Sequence, residues 1–524
     1  MRQLIDSRVS TAAIIVISSM VLSRLTGFFR ETMLSWKVGL SWVQDAYVAA
    51  FAVPDMMNIL LVGGTISAAL VPFLSGKLET DEEKEGWKAA SSFINVIFII
   101  MLLLCALGII FAPQIIPVVA PGFTGKSPQT QELSIRLTRI LFPSVIFILL
   151  AGLCNGVLYS YKKFAAAAYG PSIYNLGCAV SVLLFADTDP DSMVKVAYGV
   201  AASAVVYFLL QFPFVFQKLK FYSTVIDLSD KGFQRLFKQA VPSLMSSSIT
   251  QVNVIISTAF VSMVTFEGGL AAFRNANTLW QLPHGIFALG IATAMLPTLA
   301  GKYASGEHHE YKNLLTRSLT TVLFIALPSA VGFIVLRDPL VRAVYEWGGK
   351  FSEADVSVVS SIIVMFATSI ITQSVVTIMN RGFYAMQNTK TPLMIGIVSV
   401  FLNFSLGLMF YRFSDLGAAG IAQVYSIISM VNASLLLILL NIKAKGIYMD
   451  RLLQFALKAV PSVFVMGIVL AVLERIPLQL DTKVLQLLYL TGEIILGIAA
   501  YSGMMLLMRA EDAKYLLKML KVRK

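Results

Sequence analysis

The sequence predicts an all-α polytopic membrane protein with about fourteen transmembrane helices: two six-helix lobes, built as parallel repeats, and two further helices at the C-terminus. Three observations lead there. Of 524 residues, 57% are hydrophobic and only 13% charged, whereas a soluble domain is about a quarter charged. Apolar runs long enough to cross a bilayer recur along the whole chain. Two passages of the first half reappear in the second at a nearly constant spacing.

Runs of about twenty or more apolar residues, the length that crosses a hydrocarbon core of about 30 Å, lie near 9–36, 40–74, 88–112, 133–159, 164–186, 193–217, 239–263, 267–300, 315–336, 355–380, 391–412, 416–442, 452–473 and 485–508. The first holds Arg24, Arg30 and Glu31, and the second holds Asp45, Asp55 and Asn58. A charge at mid-bilayer costs about 2.5–3.5 kcal/mol on insertion scales. These side chains are therefore expected to line a polar cavity, and such a cavity handles polar or charged cargo. The second and eighth runs are too long for one straight crossing and contain Pro54, Pro72, Pro283 and Pro297, which predicts kinked or tilted helices. Asp55, directly after Pro54, stands where it could satisfy a backbone group freed by the kink. Arg136, Arg139 and Lys458 begin their spans and read as headgroup anchors. Glu493 lies well inside the last span, facing either a groove beside the added helices or a local hydrogen bond.

The net charge of +12 follows from topology. With the N-terminus inside, roughly 26 Lys and Arg fall in cytoplasmic loops and tails against roughly 9 outside, an asymmetry that predicts N-in and C-in with an even number of spans. Lys162-Lys163, Lys218 to Lys238, Lys443 to Lys445 and the tail Lys514 to Lys524 make up the cytoplasmic stretches. Bilayer headgroups are the expected partners of this charge, and nucleic acid is not. The first run is longer than the apolar core of a signal peptide and is expected to remain in the mature protein.

Pro72, Gly76 and Lys77 close the second span, and Pro297, Gly301 and Lys302 close the eighth, 225 positions on. Gly156 to Tyr159 closes the fourth, and Gly382 to Tyr384 closes the tenth, 226 on by the glycines. Two echoes at one spacing predict a duplicated six-helix unit whose copies are related about an axis along the membrane normal. The expected division is an N-terminal lobe at 1–217, a C-terminal lobe at 218–442, and two added spans with the basic tail at 443–524. A site between such lobes is reached from either side as one rocks against the other. The seventh and eighth spans bring Gln251, Asn253, Glu267, Arg274, Asn275, Asn277, Gln281 and His284 towards the polar residues of spans 1 and 2.

Cys105, Cys154 and Cys178 fall in apolar spans without paired spacing and are expected to be buried thiols. His308 and His309 lack a third ligand, so no metal site is expected. Gly-rich phosphate loops, HExxH and Ser/His/Asp sets are absent, so the reading is a transporter without cofactor, not an enzyme. With no nucleotide-binding motif, energy must come from a cation gradient, the membrane potential or downhill cargo flow.

The run Ser23-Arg24-Leu25-Thr26-Gly27-Phe28-Phe29-Arg30-Glu31, followed by Asp45-Ala46-Tyr47 and Phe51-Ala52-Val53-Pro54, resembles the opening of the MurJ (MviN) lipid II flippases of the multidrug/oligosaccharidyl-lipid/polysaccharide exporter superfamily. Leu296-Pro297, Arg381 to Ala385 and Thr389 to Pro392 resemble the hallmarks of the second lobe, and the likeness runs over essentially the whole chain. It implies a bacterial cytoplasmic-membrane protein that moves lipid II, an undecaprenyl-pyrophosphate-linked peptidoglycan precursor, from the inner to the outer leaflet, with cell-wall synthesis enzymes as further partners. Arginine suits a pyrophosphate because its guanidinium is permanently charged and bidentate. By the resemblance, Arg24 and Arg30 are cavity arginines, with Glu31 beside them and Asp45 as the cavity aspartate; spans 13 and 14 form a groove for the polyprenyl tail. The chain departs from the pattern at Asn58 and Thr278, where the family carries arginine. Arg274 stands one turn before Thr278 as a stand-in, next to Asn277. Ser257 replaces an acid used for sodium in some members, and Asn403 is kept. The competing readings are export of another polyprenyl-linked glycan, drug/cation antiport, which favours an acid-led cavity, and a non-transporting scaffold, which gives no reason for charges in spans 1, 2 and 8.

Overall fold

A computed structural model describes residues 2–60, 66, 69–264, 267–476 and 482–509; the basic tail Lys514 to Lys524 lies outside the described residues. All regular structure among them is helical. Eleven helices are long and apolar enough to cross a membrane. The chain divides into two compact units, 1–271 and 272–524.

The first unit contains α1 (Arg2–Val38), α2 (Trp42–Asn58), α3 (Val71–Glu79), α4 (Glu83–Ile110), α5 (Ala112–Val119), α6 (Pro128–Ser160), α7 (Phe164–Ala168), α8 (Gly170–Phe185), α9 (Pro190–Phe216), α10 (Lys231–Val264) and the first turn of α11 (Gly269–Pro283). The corner between α1 and α2 is tight because Gly39 takes φ 67°, a left-handed conformation that costs glycine little. Ser41 then caps α2 by accepting from the Gln44 N–H at 3.4 Å. α6 is the central helix, packed on α2, α4 and α9. One apolar core joins α3, α4, α6 and α10 through Leu74, Trp87, Phe142 and Phe233, and another joins α1, α2, α6, α8 and α9 through Leu34, Val43, Leu141, Cys178 and Val200.

The kink in the second span is not satisfied as expected. Pro54 has no N–H to bond the Ala50 carbonyl, and the Thr138 hydroxyl of α6 donates to that carbonyl at 3.5 Å. An ionised Asp55 carboxylate could not do so, because it only accepts. Just beyond Pro54 the helix widens into π-turns at Ile59 and Leu60.

The second unit continues α11 into a π-turn at His284–Ala288, then α12 (Leu289–Ala304), α13 (His308–Val335), α14 (Arg337–Tyr345), α15 (Glu353–Ala385), α16 (Lys390–Phe413), α17 (Gly417–Lys443), α18 (Met449–Leu473) and α19 (Lys483–Leu507). Its core runs through Leu299, Tyr311, Leu315, Phe383 and Leu440. A separate cluster of Phe455, Met466, Leu470 and Tyr501 seats α18 and α19 on α13 and α14.

Local structure repeats at the spacing of the sequence echoes. α4 and α13, and α6 and α15, begin and end 225 positions apart. The π-turns beginning at Ile59 and His284 keep the same offset. Lys77 pairs with Glu82 at 2.5 Å while Thr80 donates to the Gly76 carbonyl at 3.4 Å; Lys302 pairs with Glu307 at 2.5 Å while Ser305 donates to the Gly301 carbonyl at 3.0 Å. Left-handed residues recur too, at Asp81 and Gly306 and at Lys162 and Gln387.

The three cysteines are free and buried. All three of the expected headgroup anchors make protein contacts: Arg136 bonds Asp191 at 2.9 Å, Arg139 donates to the Ile109 carbonyl at 3.3 Å, and Lys458 donates to the Arg509 carbonyl at 3.2 Å. Large apolar side chains coat the outside, with Leu184 66%, Phe401 69% and Phe464 69% exposed. Such a coat is a liability in water and is what a hydrocarbon environment accepts.

Candidate functional site

Arg30 is the best-seated cation among the described side chains of α1. Its Nη2 donates to Glu31 Oε1 at 2.6 Å and its Nη1 to Asn175 Oδ1 of α8 at 3.3 Å. The guanidinium lies 5.6 Å from the centre of the Phe51 ring on α2. Adjacent helical residues do not face each other, so the two long side chains curl around α1 to meet. The Arg30 and Glu31 side chains are only 15% and 10% exposed. A pair this enclosed holds its charges at a desolvation cost, and removing one partner leaves the other stranded. Two of the five guanidinium N–H groups are used in these bonds; the guanidinium also offers the fork geometry that matches a phosphate.

The sequence reading missed Asn175, the only asparagine in the apolar run 164–186. Its side-chain amide also donates to the Ser23 carbonyl at 3.4 Å. A Cβ at Gly27 would lie 3.4 Å from that amide, an ordinary van der Waals contact. A lone amide in a span was the available signal, since such groups hydrogen-bond across helices.

Arg24 is exposed. Six residues before Arg30, it stands roughly 120° around the helix, so the structure does not bring it to the Arg30 partners.

Asp45 is 3% exposed and pairs with neither arginine. Its Oδ2 accepts from the Gly268 N–H at 2.8 Å and its Oδ1 from the Ala271 N–H at 2.8 Å. These are orphan donors at the start of α11. Gly268, in the capping position, has no side chain to serve them, so α2 supplies the cap. Gly268 has φ 82°, and a Cβ there would sit 2.6 Å from the Leu40 carbonyl. The Trp42 N–H bonds Glu267 Oε1 at 3.3 Å. Nearby, the Gly122 N–H donates to Ser262 Oγ at 3.1 Å, and Lys126 reaches the Met263 carbonyl at 3.4 Å. The end of α10 and the start of α11 are thus clasped to the first turn of α2 and to the loop that follows α5.

Asn58 is half-buried at the end of α2, beside the π-turn. On α11, the half-buried Thr278 hydroxyl donates to the Arg274 carbonyl at 2.9 Å, and Asn277 Oδ1 accepts from Trp280 Nε1 at 2.9 Å. Both polar groups serve their own helix. Arg274 is half-buried and shares the Thr278 face, one turn away. Ser257 and Asn403 are both buried, 7% and 3% exposed.

A profile of the family described as lipid II flippase MurJ matches residues 34–491. The chain belongs to the lipid II flippase MurJ family. Among MurJ relatives, the probable lipid II flippase MurJ of Rhizobium meliloti (strain 1021) is 30% identical over 419 residues, covering 79% of this chain and 77% of that protein. That of Buchnera aphidicola subsp. Acyrthosiphon pisum (strain APS) is 29% identical over 458 residues, covering 87% and 86%. A solved structure described as lipid II flippase MurJ in an inward closed conformation shares the fold with TM-score 0.76 at 24% identity, over 93% of this chain and 98% of that one. A solved structure described as an inward-facing multidrug resistance transporter of the MATE family and MOP superfamily also shares the fold, with TM-score 0.69 at 18% identity over 83% of this chain and 98% of that one. Arg30 and Glu31, with Asn175 and Phe51 beside them, form an enclosed charge cluster of this MurJ-family chain.

Proposed function

We propose that this chain is a lipid II flippase that carries the undecaprenyl-pyrophosphate-linked precursor from the inner to the outer leaflet by alternating access. The observation that carries the reading is Arg30, held within a MurJ-family fold by Glu31, Asn175 and Phe51 with a fork suited to pyrophosphate. The protein acts as a transporter and not as an enzyme, multi-pass in the bacterial cytoplasmic membrane, N-in and C-in. The eleven apolar spans, with α1, the α2–α3 region and α8, make up the fourteen crossings. Lobes at 1–217 and 218–442 rock about the cargo, and the spans of 443–524 guide its lipid tail. A cation gradient or the membrane potential supplies the energy. Supporting the two lobes are the 225-residue recurrences of helix ends, π-turns and Lys–Glu pairs.

Expression in a bacterium depleted of its own flippase should restore growth and bring lipid II to the outer leaflet, scored by its accessibility to an external lipid II-modifying enzyme. Failure of both in cells that insert the protein would refute lipid II as cargo and leave another polyprenyl-linked glycan as the substrate.

Arg274 is expected to stand in for the arginine that Thr278 replaces. Losing one charged phosphate contact costs about 1.5–3 kcal/mol, so Arg274→Ala should lower flipping at least about tenfold. Adding Thr278→Arg to that variant should recover most of it, because one helical turn is about 5.4 Å and an arginine can bridge it. A fully active Arg274→Ala protein would confine the anion site to the first lobe.

A further inference from the structure

Glu493 is the sole acidic residue between Lys483 and Arg509, and it is 1% exposed. Neither of its carboxyl oxygens has a hydrogen-bond partner of ordinary length and geometry. The other two acids buried among the described residues are served, Glu31 by Arg30 and Asp45 by two backbone N–H groups. Nothing in the flipping mechanism uses Glu493.

Its polar neighbours are the Glu474 carboxyl, at the end of α18, and the Tyr489 hydroxyl, one turn earlier on α19. That hydroxyl already donates to the Leu473 carbonyl at 2.8 Å. Facing the same corner from α14 and the residue after it are Arg337, Asp338, Arg342 and Glu346, and from the start of α19 Lys483. The cations are committed elsewhere. Arg342 bonds Glu353, Arg337 lies 3.7 Å from Asp338, and Lys483 donates to the Arg342 carbonyl at 2.7 Å and lies 3.9 Å from Glu346. The one charged group acting on Glu493 is Glu474.

A buried carboxylate with neither donors nor a cation is neutralised instead of being held as an ion. Two adjacent carboxyl groups that cannot both ionise retain one proton between them. We propose that Glu493 and Glu474 form a proton-binding site where α18 turns into α19. Protonated Glu493 is the buried member. Glu474, whose side chain reaches solvent, is the member through which the proton enters and leaves. Partial desolvation, and then Asp338, also push the Glu474 carboxyl above its ordinary range. A hard metal cation would need six or more oxygen ligands, which two carboxyls and a committed hydroxyl do not provide. Loss of the proton sets two like charges against each other one turn from the close packing of Leu470 on Gly497, where a Cβ would lie 3.1 Å from Leu470. The seat of α18 and α19 on α13 and α14 then becomes dependent on proton concentration.

The test is carbodiimide labelling of the full chain in lipid nanodiscs, since dicyclohexylcarbodiimide attacks protonated carboxyls in apolar surroundings. Peptide mass analysis assigns the label within 484–508, where Glu493 is the sole acid. Labelling is expected at neutral pH, falling at least about tenfold by about pH 9.5. Glu474→Gln should move the midpoint about one pH unit lower by removing the repelling charge. Absence of label at or below neutral pH, or a yield independent of pH, would overturn the site. An unmoved midpoint in Glu474→Gln would overturn the pair. Protection by sodium but not by choline at constant pH would replace the proton with a cation.

Discussion

Arg30→Ala is expected to reduce lipid II flipping to the level of cells carrying no transporter, while membrane insertion stays normal. A bidentate guanidinium–phosphate contact comprises two charge-assisted hydrogen bonds of about 1.5–3 kcal/mol each. Losing both is a change of about a hundredfold or more at 1.36 kcal/mol per decade. The substitution also takes from Glu31, 10% exposed at its side chain, the guanidinium that bonds it at 2.6 Å. Arg30→Lys keeps a charge that can reach Glu31 but loses the planar fork over Phe51, so partial activity is expected. Asn175→Ala removes one orienting acceptor, at 3.3 Å, and should be milder than either. The measurement is outer-leaflet lipid II in the depletion strain, normalised to inserted protein. Wild-type rates in Arg30→Ala would sink the pyrophosphate role.

The second large effect belongs to Asp45. Asparagine is nearly isosteric but offers one acceptor where two backbone donors converge, and it turns an N–H towards one of them. Asp45→Asn should therefore lose one charge-assisted bond outright and weaken the other, at about 1.5–3 kcal/mol for the first. The loss falls on the clasp of Gly268 and Ala271, which the N-in reading places outside. Leu270→Cys, at a position 2% exposed whose side chain takes no part in the clasp, provides the gauge, because Cys105, Cys154 and Cys178 are buried. An impermeant thiol reagent added to intact cells should label it at least about tenfold faster when Asp45 is also changed to asparagine, as expected when about 1.4 kcal/mol or more of closure is lost. Flipping should fall alongside. Asp45→Glu keeps both acceptors on a longer stem and should lie between. Unchanged labelling and unchanged flipping in Asp45→Asn would show that the clasp does not hold this end shut.

The long helices were legible because a bilayer leaves a chain few options. Backbone groups inside hydrocarbon must be paired within the segment, so an apolar run of sufficient length reads as a helix without knowledge of its neighbours. The offset between Pro72 and Pro297 was visible for a related reason, since helices with the same role in a duplicated unit keep the same punctuation. Short elements such as α5, α7 and α14 were not read, because they lie inside or beside longer apolar runs and carry no period of their own.

The candidate site divides in the same way. Charges at Arg30, Glu31 and Asp45 stood out in the sequence because lipid forbids them, and that alone marked where polar business must be done. Their partners are set by tertiary structure. Asn175 lies 145 residues from Arg30, and Gly268 lies 223 from Asp45. Asp45, by the resemblance the cavity aspartate, instead accepts from two backbone N–H groups, because Gly268 leaves the start of α11 without a cap of its own. Asp55 was offered a freed carbonyl that only a donor such as Thr138 could serve. By itself the sequence determined that this protein crosses the membrane many times, repeats its plan and buries charge, since each follows from the cost of putting polar groups in lipid. Tertiary structure alone decided which buried acid is ion-paired, which is spent as a cap and which, at Glu493, meets another carboxyl instead of a cation, because such contacts depend on proximity in space and not along the chain.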